Sequence, residues 1–123
     1  MKNHSPGFLA VVEDAKSRVK EVNVEETFAA LKANAEAVLV DVREESEFAA
    51  GHVVGSVHMS KGVIERDVEK NYPNLDTPMY LYCGGGFRSA LAADNLQKMG
   101  YRQVFSVAGG WRALLDAKAP IEK

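Results

Sequence analysis

The residues best suited to chemistry lie in one short run, Cys83-Gly84-Gly85-Gly86-Phe87-Arg88-Ser89. Cys83 is the only cysteine of the chain, so it cannot form an internal disulfide. Three consecutive glycines leave no Cβ atoms to shield the backbone N–H groups, which can therefore point together at one anion. Arg88 is the only charged residue between Asp76 and Asp94. Its planar guanidinium can bridge two atoms of an anion, so a thiolate, a persulfide or a bound oxyanion is the expected occupant.

This run connects a strand-like segment, 79–82, to a helix-like segment, 89–99. The sulfur therefore faces the positive end of a helix dipole as well as the N–H groups of residues 84–89, and these surroundings favour the thiolate. We expect Ser89 to cap the helix or to donate to the sulfur, and Phe87 to contribute its backbone N–H. We also expect a positive φ at Gly85. Together these features predict a thiolate that attacks a soft electrophile.

The rest of the chain alternates between helical and strand patterns. Helices are expected near 7–19, 23–33, 44–50, 62–70, 89–99 and 111–118, and strands near 21–23, 37–40, 56–59, 79–82 and 104–107. Alternation with unbroken apolar strands indicates an α/β fold of three layers, in which helices cover both faces of a mainly parallel sheet of roughly five strands. The length of 123 residues predicts one domain over 1–123, with a core at about 20–120 preceded by the helix at 7–19.

Three segments end strands on the same side of such a sheet: 41–43, the cysteine run and 108–110. Ligand sites in parallel sheets form beyond the carboxyl ends of the strands, which places Cys83 in a site. We expect supporting roles for two residues of the first segment. Asp41 would fix loop N–H groups or a nearby arginine, and Arg43 would lie near the mouth of the pocket.

Other residues with chemical potential have simpler interpretations. His52 and His58 are expected to make structural hydrogen bonds, and Trp111 to form core or pocket wall. Neither histidine has a cysteine or a second histidine at metal-ligand spacing, so no metal site is expected. No organic cofactor is expected either.

Composition restricts the partners of the chain. A net charge of −2 argues against binding to nucleic acid or to an anionic membrane surface. The apolar runs are too short to span a membrane. The apolar stretch at 7–12 is followed at once by Glu13 and Asp14, unlike a secretory signal, so a cytoplasmic location is expected.

Four motifs together resemble the single-domain rhodanese-like sulfurtransferases. They are Leu39-Val40-Asp41-Val42-Arg43, then Glu47-Phe48 with Gly51-His52 and Gly55-Ser56, then Tyr82-Cys83 through Arg88-Ser89, and finally Gly109-Gly110-Trp111. They extend over roughly residues 20–120, and they depart from the family pattern at Val54, where the family often has proline. The resemblance implies a rhodanese-like fold and transfer of sulfane sulfur through a persulfide on Cys83, held by the N–H groups of residues 84–89.

The resemblance also implies which reactants the protein would use and which alternative functions are disfavoured. The donor would be thiosulfate or a persulfide, and the acceptor a small thiol or a protein thiol, in a monomer or homodimer. The loop from Cys83 to Arg88 has six residues, as in the sulfurtransferases, whereas phosphatases and arsenate reductases on this fold usually have one more. No general acid is evident beside the loop, and sulfur transfer needs none. A non-catalytic binding module remains a further alternative, and a redox-sensing thiol would lack a second cysteine to resolve it.

Overall fold

The computed structural model describes residues 4–123. Its helices are α1 (Pro6–Lys16), α2 (Val24–Ala33), α3 (Glu45–Ala50), α4 (Ile64–Asn71), α5 (Phe87–Lys98) and α6 (Gly110–Asp116). Its strands are β1 (Lys20–Val22), β2 (Val38–Asp41), β3 (His52–Val53), β4 (Val57–His58), β5 (Met79–Tyr82), β6 (Val104–Val107) and β7 (Ile121–Glu122). Among residues 4–123, none of the helices combines the length and the apolar character needed to cross a membrane.

Five strands form a parallel sheet in the order β1-β6-β5-β2-β4. β5 occupies the centre and pairs with β2 and β6 through registers such as Leu81 with Val40 and Leu81 with Ser106. The expected α/β class and five-stranded parallel sheet are therefore confirmed. Because β5 and β2 are adjacent, their carboxyl ends bring Cys83 and Asp41 to one edge of the sheet.

Alternate residues of β5 enter separate hydrophobic clusters on the two faces of the sheet. Met79, Leu81 and Cys83 join the cluster to which α4 and α5 contribute Ile64, Val68, Ala92, Ala93 and Leu96. Tyr80 and Tyr82 join the opposite cluster, to which α2 and α6 contribute Val24 and Leu114. This period-two alternation across a sheet covered on both sides produces the three expected layers.

Local sequence signals explain how two of the helices begin. Ser5 accepts a hydrogen bond from the N–H of Phe8, and Pro6 occupies the first turn of α1. Asn23 and Glu26 form the expected reciprocal capping box at the start of α2. The predicted helix at 7–19 ends earlier than expected, at Lys16.

The structure also contains a small sheet that the sequence patterns did not predict. β3 pairs with β7 in antiparallel fashion, so that His52 lies opposite Glu122 and Val53 opposite Ile121. Each strand has only two residues, too few to show a periodic pattern.

Candidate active site

The turn between β5 and α5 is built around Gly86. This residue is the N-cap of α5 and has a φ of 99°, a conformation that glycine adopts readily. Gly85 does not have a positive φ, so the expectation of such a turn at Gly85 was wrong by one residue. The helix begins at Phe87, two residues before the predicted start, which makes Ser89 a member of its first turn. Ser89 is therefore not the cap that the sequence suggested.

The sulfur of Cys83 lies in front of this first helical turn. The backbone N–H groups of Gly86 and Ser89 donate to Sγ at 3.1 and 3.3 Å. The thiol in turn donates to Ser89 Oγ at 3.4 Å. Two amides and a hydroxyl thus converge on one atom, and all of them can donate to that atom once it is ionised.

A serine of the neighbouring strand extends this contact. Ser106 Oγ on β6 lies 2.8 Å from Ser89 Oγ, and both residues are fully buried. When Sγ is a thiolate, Ser106 can donate to Ser89 while Ser89 donates to the sulfur. Hydrogen bonds linked in series in this way strengthen each other. We did not predict Ser106, although a serine within the apolar strand 104–107 was an available signal.

Two glycines at the start of α6, the N-cap Gly109 and the first helical residue Gly110, lie close to the cysteine loop. Trp111 N–H donates to the Cys83 carbonyl at 2.6 Å. Gly110 has a φ of 50°, and a Cβ at this position would overlap with that same carbonyl oxygen. Gly109 has a φ of 76°, and a Cβ there would approach Ala113 Cβ to 2.7 Å. The backbone of this segment therefore holds the cysteine in place through its close approach.

Asp41 and Arg43 form a buried ion pair at the adjacent strand end. Arg43 donates to both carboxylate oxygens of Asp41, at 2.7 Å for the shortest contact, and to the carbonyl of Gly51. Asp41 was expected to bind either an arginine or the N–H groups of the cysteine loop. It binds the arginine, and no hydrogen bond described within residues 4–123 joins it to the N–H groups of residues 84–89. Arg43 lies 4.2 Å from the ring centroid of Trp111 and does not line the cavity described below.

Arg88 is paired with a residue of α3. Its guanidinium donates to both oxygens of Glu47, at 2.8 and 3.2 Å. This hydrogen-bonded pair lowers the pKa of Glu47 to about 2 and raises the pKa of Arg88, although partial burial opposes both changes. The sequence motifs include Glu47 but do not predict its contact with Arg88, because the two residues are 41 positions apart and nothing local indicates the contact.

A cavity of about 1250 Å³ opens above the loop. Cys83, Gly84 and Gly85 line it together with the Glu47–Arg88 pair. Its other walls are formed by residues in or just before α1, α5 and α6, namely His4, Phe8, Leu9, Phe87, Gly109, Trp111, Arg112, Leu115 and Asp116. Cys83 is only 1% exposed, yet it is one of the residues that border this cavity.

Both central histidines make structural contacts. His52 Nδ1 lies 2.9 Å from the carbonyl of Phe48, and His58 Nε2 lies 2.8 Å from the carbonyl of Arg43. Phe48 stacks on both imidazole rings. Within residues 4–123, no three histidine, cysteine, aspartate or glutamate side chains are grouped as metal ligands.

The family model of the rhodanese-like domain matches residues 24–117. The chain belongs to the rhodanese-like domain family. A curated relative, the uncharacterized protein YqhL of Bacillus subtilis, is 34% identical over 106 residues, which cover 84% of this chain and 81% of that protein. The family match confirms the resemblance that the four motifs indicated.

Two solved structures show the same fold over nearly the whole chain. A protein of unknown function from Rhodopseudomonas palustris, described as a possible tyrosine phosphatase, is 30% identical with a TM-score of 0.85, covering 99% of this chain and 98% of its own. The polysulfide-sulfur transferase homodimer of Wolinella succinogenes is 27% identical with a TM-score of 0.80, covering 94% and 87%. The rhodanese-like family and its sulfurtransferase neighbours support a general rhodanese-type role.

Proposed function

We propose that this protein is a sulfurtransferase that carries sulfane sulfur as a persulfide on Cys83. The observation that carries the proposal is the convergence of the Gly86 and Ser89 N–H groups on Sγ at the wall of an open cavity. Donors fixed in this way stabilise a negative charge on sulfur before and after the transfer.

The reaction needs two displacements. In the first, the Cys83 thiolate attacks the outer sulfur of thiosulfate or of a persulfide. A sulfur–sulfur bond forms to Sγ as the donor's own bond breaks, and sulfite or a thiolate leaves with the electron pair. The negative charge then resides on the outer sulfur of the Cys83 persulfide, where the N–H groups of residues 84–89 would stabilise it.

In the second displacement, an acceptor thiolate or cyanide attacks that outer sulfur. The new bond forms as the bond to Sγ breaks, and the Cys83 thiolate is regenerated. Sulfite and thiolates are stable leaving groups, so neither step requires a proton donor. The acceptor in the cell would be a small thiol or a protein thiol, and the chain would need no cofactor. Of the two expected assemblies, monomer and homodimer, the homodimer is also the state of the Wolinella relative.

Steady-state assays test the proposal. Wild-type protein should produce thiocyanate from cyanide with thiosulfate or an alkyl persulfide as donor, and Cys83→Ser should lose this activity by at least about a thousandfold. Gly62→Ala is the control, because a Cβ at this position has no atom within 4 Å and Gly62 does not line the cavity. Absence of turnover with either donor would exclude the enzymatic proposal and favour a binding module.

The Rhodopseudomonas relative makes phosphate-ester hydrolysis the second candidate. Two features of this chain disfavour it: the six-residue span from Cys83 to Arg88 and the engagement of Arg88 by Glu47. An aryl phosphate offered to the same preparation should not be hydrolysed. Hydrolysis that depends on Cys83, without sulfur transfer, would reverse the assignment.

A further inference from the structure

The charges around the cavity are balanced. Two arginines and two carboxylates line it, namely Arg88, Arg112, Glu47 and Asp116, so their formal charges cancel. The glycines that follow Cys83 add no charge of their own. The cavity is therefore not the cationic pocket that Arg88 alone would suggest.

The Glu47 carboxylate neutralises the charge of Arg88 beside the loop that holds Cys83. The guanidinium makes two parallel hydrogen bonds with the carboxylate, a geometry that holds both groups in fixed positions. With a pKa of about 2, Glu47 remains ionised at every pH at which the protein would work. A dianion that entered the cavity would have to face this carboxylate.

The position of the pair is fixed from both sides. Glu47 Oε1 also accepts a hydrogen bond from the N–H of Glu44 at 2.9 Å, as part of the capping box of α3. Arg88 Nη2 lies against Gly84, where a Cβ would approach it to 3.1 Å. The arginine is thus held beside the residue that follows the cysteine.

We infer that Glu47 is a specificity-determining residue, which cancels the charge of Arg88 and so favours persulfide donors of low charge over dianionic donors such as thiosulfate. The inference rests on the proposed function for its substrates. The charge effect itself, that of Glu47 on how fast an anionic reagent reacts with Cys83, can be measured without any sulfur transfer.

The first test compares iodoacetate with iodoacetamide, reagents of similar size that differ by one negative charge. Cys83 is the only cysteine, so the loss of free thiol reports this site alone. Glu47→Gln keeps an oxygen for the Glu44 N–H but removes the charge. We expect it to raise the ratio of the iodoacetate rate to the iodoacetamide rate by at least about threefold at low salt.

Two variants serve as controls. Glu45→Gln makes the same charge change on the same helix, but Glu45 is exposed and does not line the cavity, so its rate ratio should stay within about twofold of wild type. Glu47→Asp keeps the charge with a shorter side chain, and its ratio should also stay near that of wild type. Equal ratios in Glu47→Gln and Glu45→Gln would overturn the inference.

The second test compares kcat/KM for thiosulfate with kcat/KM for an alkyl persulfide. Glu47→Gln should shift this preference toward thiosulfate by a factor similar to the alkylation ratio, while Glu45→Gln should not. A preference unchanged by Glu47→Gln in an active enzyme would contradict the inference. An altered alkylation ratio without any sulfur transfer would support the charge effect and contradict the proposed function.

Discussion

At the scale of single residues, the site depends on how the sulfur of Cys83 is surrounded. Two backbone amides and the Ser89 hydroxyl approach Sγ, while Ser106 completes the chain behind Ser89. The backbone donors cannot be removed by side-chain substitution. Side-chain substitution can therefore measure only the contribution of the two serine hydroxyls to activity.

We predict that Ser89→Ala lowers kcat/KM by about threefold to tenfold, the range expected for the loss of one hydrogen bond to a developing charge. The substitution leaves the N–H of residue 89 in place. Ser106→Ala is the matched control, because it preserves the Ser89 hydroxyl beside the sulfur and should cost less activity. Steady-state kinetics of both variants would make the comparison, and a larger loss in Ser106→Ala than in Ser89→Ala would contradict the account.

The residues of the site differ in how well the sequence could predict them. The residue types and spacing of Cys83 and the glycine run were enough to predict a site. The apolar strand before them predicted its position at an edge of the sheet. The pairing of Glu47 with Arg88 could not be predicted from the sequence, because Arg88 has no acidic residue among its sequence neighbours. The folded chain brings the two together from separate elements.

At the scale of elements, the sequence predicted the parallel sheet because its central strands are unbroken apolar runs. It did not predict the early start of α5 at Phe87, since that start depends on the positive φ of Gly86. Three adjacent glycines offer several places for such a turn, and the sequence alone does not distinguish them. In the folded chain a Cβ on Gly86 would lie 3.4 Å from the backbone nitrogen of Gly109. The β3–β7 pair was missed because it joins residues far apart in sequence.

The approach of α6 to the loop gives a prediction at this scale. Gly110→Ala should lower turnover at least about tenfold and destabilise the fold by roughly 2–4 kcal/mol, since the added Cβ overlaps with the Cys83 carbonyl and φ is positive. Gly62→Ala, outside the site and with open space around it, should retain activity and stability. Urea unfolding and kinetics on both variants test this, and a Gly110→Ala protein that behaves like wild type would show that the close approach is not required.

At the scale of the whole molecule, the N-terminal helix is joined to the body of the protein beside the site. Arg18, just after α1, donates to Asp94 of α5 at 2.8 and 2.9 Å and to Asp14 of α1. Lys16 lies 4.9 Å from the ring centroid of Phe87. These contacts hold α1 where Phe8 and Leu9 form one wall of the cavity.

The Arg18–Asp94 contact predicts a pH-dependent stability. The hydrogen bonds from Arg18 lower the pKa of Asp94 below its ordinary value of 3.8, so the stabilising contribution is complete above that value and disappears as acid protonates the folded carboxyl. Asp94→Asn should therefore reduce the free energy of unfolding by roughly 1–2 kcal/mol at pH 7, and this difference should close as the pH falls through the lowered pKa of the folded carboxyl.

Asp14→Asn is the matched control for this experiment. Asp14 shares the same arginine, but its side chain is 69% exposed and solvent screens its charge, so its loss should cost much less stability than the loss of Asp94. Urea unfolding of the three proteins as a function of pH provides the measurement. An Asp94→Asn deficit that persists unchanged in acid would mean that packing, and not the ion pair, accounts for it.

The central claim concerns one covalent adduct, and intact-mass spectrometry tests it most directly. After incubation with an alkyl persulfide or thiosulfate and removal of the donor, the protein should gain the mass of one sulfur atom. Cyanide should remove that mass, and Cys83→Ser should never acquire it. A wild-type protein that remains unmodified by both donors while its thiol is free to react with iodoacetamide would contradict the account.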